Sequence, residues 1–269
     1  MSRRRTTLVL LALGVATLDL LPLALILKQA FTPERESFAW PPTWWPHEFT
    51  LDNFRTLGTT IELERGFWLS LGVAGLTVTS ALILTLPAAW LAARRPRADR
   101  PLDAAMIVAR LFPTIALAVP LAALFVSVGL YNHPAGLGLW LAHTLLAIPV
   151  AFLVLRTGFR DVPAELEDAA RLDGASACGA FLWVTLPLVR PSLAAAGILV
   201  FLVSWDEFAY ALLLQVTNRS LPPLLYYLSA FGYPGLASAV AAIMLVPALA
   251  IIFVLEPALR SGTLSGSGR

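Results

Sequence analysis

Apolar runs long enough to cross a lipid bilayer constrain this chain more than any other feature of its sequence. Six such runs follow one another, at residues 8–31, 67–93, 102–128, 137–155, 192–215 and 236–255. A helix needs about 20 apolar residues to cross a hydrocarbon core of roughly 30 Å. Backbone groups in lipid must be hydrogen-bonded within the spanning structure, so such runs form helices. The sequence therefore predicts an all-α membrane protein with six transmembrane helices.

The charged residues are few, and their distribution predicts the orientation of these helices. They make up 13% of the chain against 58% apolar residues, which excludes an ordinary soluble domain. On the side of the bilayer that holds the N-terminus lie thirteen lysines and arginines, and four lie on the other side. The excess of positive charge marks the cytoplasmic side, so both termini are predicted there. The net charge of +2 does not indicate nucleic-acid binding, and lipid is the expected surrounding.

The segment 161–191 is the longest polar interruption in the second half of the chain, and its pattern predicts two short helices around a turn. Asp161 is predicted to cap the first helix, residues 164–172, and Gly174 to end it. Ser176 is predicted to cap the second helix, residues 177–184. Two prolines, Pro187 and Pro191, then prevent that helix from continuing unbroken.

The spacing within this segment resembles the EAA loop of ABC-importer permeases. An acidic residue, two alanines, three residues, a glycine, nine residues and a Val-Thr-Leu-Pro phrase follow one another from Asp168 to Pro187. Asp168 stands where the family has glutamate. The EAA loop docks into a cleft of the ATPase subunit, so the resemblance implies ATPase contacts for Glu165, Asp168, Ala169, Ala170, Asp173, Gly174, Leu186 and Pro187. An amphipathic helix lying on the headgroups is the alternative.

Three more phrases resemble the sugar-type permeases of this class: PPTWWPHEFTLDNF at 41–54, WDEF at 205–208 and LRSGTLSGSGR at 259–269. The resemblance, closest to the maltose-transporter type, implies a type I importer fold. Its parts are an N-terminal span with an outer loop (1–66), a transmembrane core (67–257) and a cytoplasmic tail (258–269). It also implies the prokaryotic inner membrane, a homologous permease partner, two ATP-binding subunits and an extracytoplasmic solute-binding protein. ATP and Mg²⁺ are then bound by the partner ATPase, and this chain binds no cofactor.

Charged side chains inside the predicted spans are candidates for a transport role, because they are costly in lipid. Asp206 and Glu207 are predicted about 22 Å from the inner end of the fifth helix. With Trp205 they are candidates for the pathway or outer gate, and a helix-to-helix hydrogen bond is the alternative. Asp19, in the first span, is expected to point into the bundle. Arg110 is expected near the cytoplasmic end of its span, with its side chain extended to the surface.

No arrangement for catalysis is recognisable. The sequence has no Gly-rich Lys-Ser/Thr loop for ATP and no nucleophile with its base, so no catalytic residue is assigned. His133 and His143 have no second ligand at a suitable spacing, so no metal is predicted. The single cysteine, Cys178, is expected to be buried. The sequence thus predicts a non-catalytic permease subunit of a sugar or oligosaccharide importer. A permease for a polyamine or a glycerol-phosphate-like solute, and an ATP-independent carrier or scaffold, are the alternatives.

Overall fold

The computed structural model describes residues 3–263 and the side chains of 7–95, 97 and 99–254. Every regular element in this range is a helix, which confirms the predicted all-α class. The helices are α1 Arg3–Ala30, α2 Glu34–Ser37, α3 Asp52–Gly58, α4 Ile61–Arg94, α5 Pro96–Leu111, α6 Thr114–Ser127, α7 Leu137–Asp161, α8 Glu165–Leu172, α9 Ala177–Ala180, a π-helical turn Phe181–Thr185, α10 Leu186–Leu188, α11 Arg190–Trp205, α12 Ala209–Leu214, α13 Leu221–Ala230 and α14 Pro234–Thr263.

Four helices are long and apolar enough to cross a bilayer unbroken: α1, α4, α7 and α14. Two bent pairs, α5 with α6 and the helical turns Ala177–Leu188 with α11, bring the number of spans in the described residues to six if each pair is counted as one span. In the first pair the axes of α5 and α6 meet at 91° around Phe112 and Pro113. A residue before proline is driven out of the helical region, and Phe112 has the extended ψ of 127°.

Three boundaries differ from the sequence prediction. Asp161 is the last residue of α7 and does not cap α8, which begins after Ala164. The predicted fifth helix is not continuous through 192–215, because α11 ends at Trp205 and residues 206–208 separate it from α12. α14 continues as far as Thr263, so the first half of the predicted tail is helical, and residues 264–269 lie outside the described range.

The chain divides into two compact units, and the first consists of residues 1–66 and 223–247. Within it the buried side chain of Asn53 donates to the carbonyl oxygens of Ala30 and Thr32, at 2.9 and 3.0 Å. These bonds satisfy carbonyl groups at the end of α1, where the helix itself supplies no donor. Asp19 does not point into a bundle formed by this chain: it is exposed, like the rest of the spanning part of α1.

The second unit, residues 67–222 and 248–269, contains the packed core and the candidate site. Small side chains allow α4, α7 and α11 to approach closely, and Ala81, Ala147, Ala151 and Val200 are fully buried together. Gly158 of α7 is so close to α11 that an added methyl group would overlap the Ser192 side chain. Such small-residue contacts are typical of helices that pack within membranes.

Candidate functional site

The turn between α8 and α9 has the geometry that the sequence predicts. Gly174 has φ +94°, a conformation that residues with a Cβ rarely adopt. The amide of Ala175 donates to the carbonyl of Ala170, which closes the end of α8. The Ser176 hydroxyl accepts from the amide of Gly179 at 3.0 Å and caps α9. The turn is therefore held by its own backbone and cap.

The eight residues with predicted ATPase contacts do not all lie on one surface. Five of them are exposed on α8 and the turn: Glu165, Asp168, Ala169, Asp173 and Gly174. Ala170 is half-buried, and so are Leu186 and Pro187, which lie in α10 beyond the π-helical turn. Cys178 is exposed in α9, so the expectation of a buried thiol is wrong. The structure thus offers α8 and the turn as a surface, with three acidic side chains on it.

A buried carboxylate that the sequence reading missed holds this surface to the membrane core. Glu167 is 4% exposed, and its Oε1 atom accepts four hydrogen bonds. The donors are Trp90 Nε1 at 3.1 Å, Arg94 Nε at 2.9 Å, Arg94 Nη2 at 2.7 Å and Thr185 Oγ1 at 2.7 Å. One carboxylate oxygen thus joins α8 to the last turn of α4 and to the π-helical turn.

Arg94 extends the same network to α7. Its Nη1 atom donates to the carbonyl oxygens of Phe159 and Val162, both at 2.9 Å. The last carbonyl groups of a helix have no partner within it, and a cation near them is also favoured by the helix dipole. We call Trp90, Arg94, Glu167 and Thr185 the docking anchor. It fixes the ends of α4 and α7 and the helix α8 to one another.

The electrostatics of the docking anchor favour the ionised carboxylate. Burial by itself raises the pKa of Glu167, but the hydrogen bonds from Arg94, Thr185 and Trp90 and the charge of Arg94 outweigh it, so the pKa lies below its ordinary value. Glu167 is therefore charged at neutral pH. Glu167 precedes Asp168 by one position, so the two side chains point about 100° apart around the helix. Trp90 and Arg94 are four residues apart and share one face of α4, which is the sequence signal for the partners of Glu167.

A second set of ion pairs fixes α5 to the same end of α7. Arg156 pairs with Asp99 at 2.9 Å and with Asp103 at 2.8 Å, and Arg160 also pairs with Asp99. The side chains of Arg156 and Asp99 are largely buried. The first limb of the bent α5 and α6 pair is thus attached beside the docking anchor.

Asp206 and Glu207 both lie in the break between α11 and α12, but their side chains have different environments. Glu207 is buried and accepts from the amides of Tyr210 and Ala211, at 2.9 and 3.1 Å, which supplies the missing cap of α12. His143 is not isolated, since its Nε2 lies 3.4 Å from Glu207 and its Nδ1 lies 2.8 Å from the Ser204 hydroxyl. Asp206 is exposed at the break. Glu207 therefore fixes the helices here.

Trp205 lies next to this break and packs against aromatic rings. It is 3% exposed and its ring stacks on Phe201, with centroids 5.4 Å apart. The ring of Phe67 contacts it edge-on at 6.1 Å. These contacts assign Trp205 a packing role between α4 and α11. A role for Trp205, Asp206, Glu207 or Asp19 in a pathway or gate remains a prediction.

Four unbroken apolar helices, two bent pairs and an exposed helix and turn fixed to them define a polytopic α-helical membrane protein. The chain belongs to the family described as the binding-protein-dependent transport system inner membrane component, whose match covers residues 81–262. It is a permease of the ABC importer class.

Relatives and solved structures agree with this assignment. The chain is 32% identical over 252 residues to the sulfoquinovosyl glycerol transport system permease protein SmoH of Agrobacterium fabrum, covering 92% of this chain and 88% of that protein. It is 30% identical over 229 residues to the trehalose transport system permease protein SugB of Mycobacterium tuberculosis, covering 82% and 83%. A bacterial ABC transporter that imports alginate contains a chain of the same fold, with a TM-score of 0.74, 19% identity and coverage of 96% and 98%.

Proposed function

We propose that this chain is the permease subunit of an ATP-driven importer for a sugar or oligosaccharide. The names of its relatives, which include permeases for trehalose and for alpha-glucosides, support the substrate class. It acts with a homologous permease, two ATP-binding subunits and an extracytoplasmic solute-binding protein, and both its termini lie in the cytoplasm. The partner ATPase binds ATP and Mg²⁺ and performs the hydrolysis, and this chain forms half of the pathway.

The observation that carries this proposal is the contrast between the two faces of α8. Outward it exposes Glu165, Asp168 and the turn at Gly174, while inward the buried Glu167 is bound to the partly buried Arg94. A surface element meant only to cover the membrane does not need a buried, fully paired carboxylate. An element that receives force does, because loose attachment would dissipate the movement. ATP-driven closure of the ATPase therefore displaces α8, and the docking anchor passes that displacement to α4 and α7.

The test of the docking surface is Gly174→Trp in the assembled complex. Nothing lies within 4 Å of a Cβ at this position, so the side chain would project from the turn into the space that the ATPase is to occupy. We expect the variant to purify without its ATPase and to lose substrate-stimulated ATP hydrolysis and uptake.

Gly232→Trp is the matched control. Gly232 also has a positive φ, +85°, and open space around its Cβ, but it lies in the turn between α13 and α14. It therefore carries the same backbone strain without blocking the docking surface, and the ATPase should remain bound. Normal ATPase retention and uptake in Gly174→Trp would refute the docking surface.

Transport by the purified chain without any ATPase would refute the importer assignment. Mass spectrometry of the ligand bound to the solute-binding protein tests whether the substrate is a sugar.

A further inference from the structure

Arg110 lies far deeper in its span than the sequence suggests. It is in the last turn of α5, eleven residues after Asp99, which pairs with Arg156 and Arg160 near the end of α7. Eleven residues of helix rise about 16 Å. The side chain lines a cavity of about 650 Å³ together with Leu145 and Pro149, which lie near the middle of α7. The expectation of a short reach to the cytoplasmic surface is therefore wrong.

The guanidinium group of Arg110 is exposed and has neither an ion pair nor a hydrogen bond with any residue that the structure describes. The acidic residues of the surrounding helices have other partners: Asp99 and Asp103 pair with arginines of α7, and Glu207 caps α12. Asp206 does not line the cavity. An unpaired cation at this depth is costly unless it faces water or an anion. Arg110 is the charged residue among the described residues that line the cavity.

We propose that Arg110 binds the anionic group of an acidic saccharide, a carboxylate or sulfonate, as the solute passes along this subunit. A guanidinium group presents two parallel donors that match such a group. The exposed aromatic ring of Phe112 also lines the cavity and offers an apolar face to a sugar ring. The volume lies within the range of small-molecule sites. This inference rests on the proposed function and narrows its substrate class.

The experiment measures the charge at the cavity directly, in the purified membrane complex. Cys178→Ser removes the single native cysteine, and Thr114→Cys places a thiol in the cavity wall. The thiol is reacted with an anionic methanethiosulfonate sulfonate and with its cationic trimethylammonium counterpart. We expect R110Q to lower the ratio of anionic to cationic reaction rates by about tenfold, because one positive charge is lost from a confined site. R110K retains the charge and should retain the ratio.

Millimolar D-glucuronate then tests for the anion site. It should slow the reaction of the thiol when residue 110 is arginine, and D-glucose should not. In R110Q the protection by glucuronate should disappear, and R110K should keep part of it, since lysine lacks the two parallel donors.

Three outcomes overturn the proposal. An unchanged ratio in R110Q, or a thiol that neither reagent reaches, means that a carboxylate of the partner permease neutralises or covers Arg110. Equal protection by glucuronate and glucose means that no anion site exists. Failure of the proposed function is a separate result. It would appear as the absence of an ATPase that co-purifies with the unaltered chain, and not in the thiol reaction rates.

Discussion

The docking anchor makes Glu167→Ala the most informative single change in this chain. The substitution removes the acceptor of four hydrogen bonds, while Arg94 keeps its two bonds to the carbonyls of Phe159 and Val162. Removing one partner of a buried ion pair costs about 3–5 kcal/mol, and the remaining bonds of Arg94 place this case near the lower end. A cost of about 3 kcal/mol raises the fraction of molecules with α8 detached by roughly a hundredfold.

The assay is the number of ATP molecules hydrolysed for each solute imported by the reconstituted complex. We expect Glu167→Ala to raise this number, because ATPase movement is no longer passed fully to α4 and α7. Glu167→Gln should have a smaller effect, since it keeps the shape and an acceptor but loses the charge. Arg94→Ala should be worse than either, because it leaves the Glu167 carboxylate buried without its cation and frees two carbonyl groups.

Asp161→Asn is the control for the loss of a carboxylate in this region. Asp161 is exposed at the end of α7, where a negative charge is unfavourable to the helix dipole, so its removal should leave coupling unchanged and should not lower stability. The reasoning fails if Glu167→Ala matches Asp161→Asn in coupling ratio and thermal midpoint. It also fails if Arg94→Ala is the mildest of the three anchor variants.

Three further predictions follow from contacts already described. The pKa of Glu167 is lowered from 4.5, so the stability that its ion pair contributes is complete above about pH 4.5 and is lost as the pH falls through the lower, folded-state pKa. The thermal midpoint of the unaltered complex should therefore fall towards that of Glu167→Gln over this pH range. A constant difference between the two midpoints contradicts the pairing. Gly158→Ala should destabilise the chain by about 1–3 kcal/mol through overlap with Ser192, and Ser192→Gly should restore the thermal midpoint; no rescue in the double variant would contradict the overlap. Cys178 should react with a membrane-impermeant maleimide in inside-out vesicles and not in intact cells, and labelling of intact cells would reverse the proposed orientation.

The sequence predicted the helical class and the geometry of the docking turn because both depend on local chemistry. Long apolar runs must form helices in lipid, and Gly174 and Ser176 act on the backbone within a few residues of themselves. The apolar run 102–128 gives no sign of the 91° bend between α5 and α6, because that angle depends on what the two helices pack against.

The docking anchor and the break in the fifth span depend on contacts between distant residues, and no local pattern encodes them. Glu167 is separated from Arg94 by 73 positions. The first turn of α8 contains three acidic residues, and the sequence does not indicate which of them is buried. The bonds of Glu207 to the amides of α12 show why two adjacent carboxylates have different fates: one satisfies the new helix end, and the other, Asp206, remains exposed. Sequence reasoning treated them as a pair because it assumed a continuous helix.

The bonds of Arg94 determine where the two long spans can bend. One guanidinium group holds the end of α4 and the end of α7 to α8. A tilt of α8 would therefore turn α8 and these two helix ends together. Further along each helix, proline deprives the backbone of a hydrogen bond, at Pro87 in α4 and at Pro149 in α7. The end of α4 from Pro87 to Arg94 and the end of α7 from Pro149 to Asp161 are therefore held rigidly. The two prolines are the first positions at which either helix can bend.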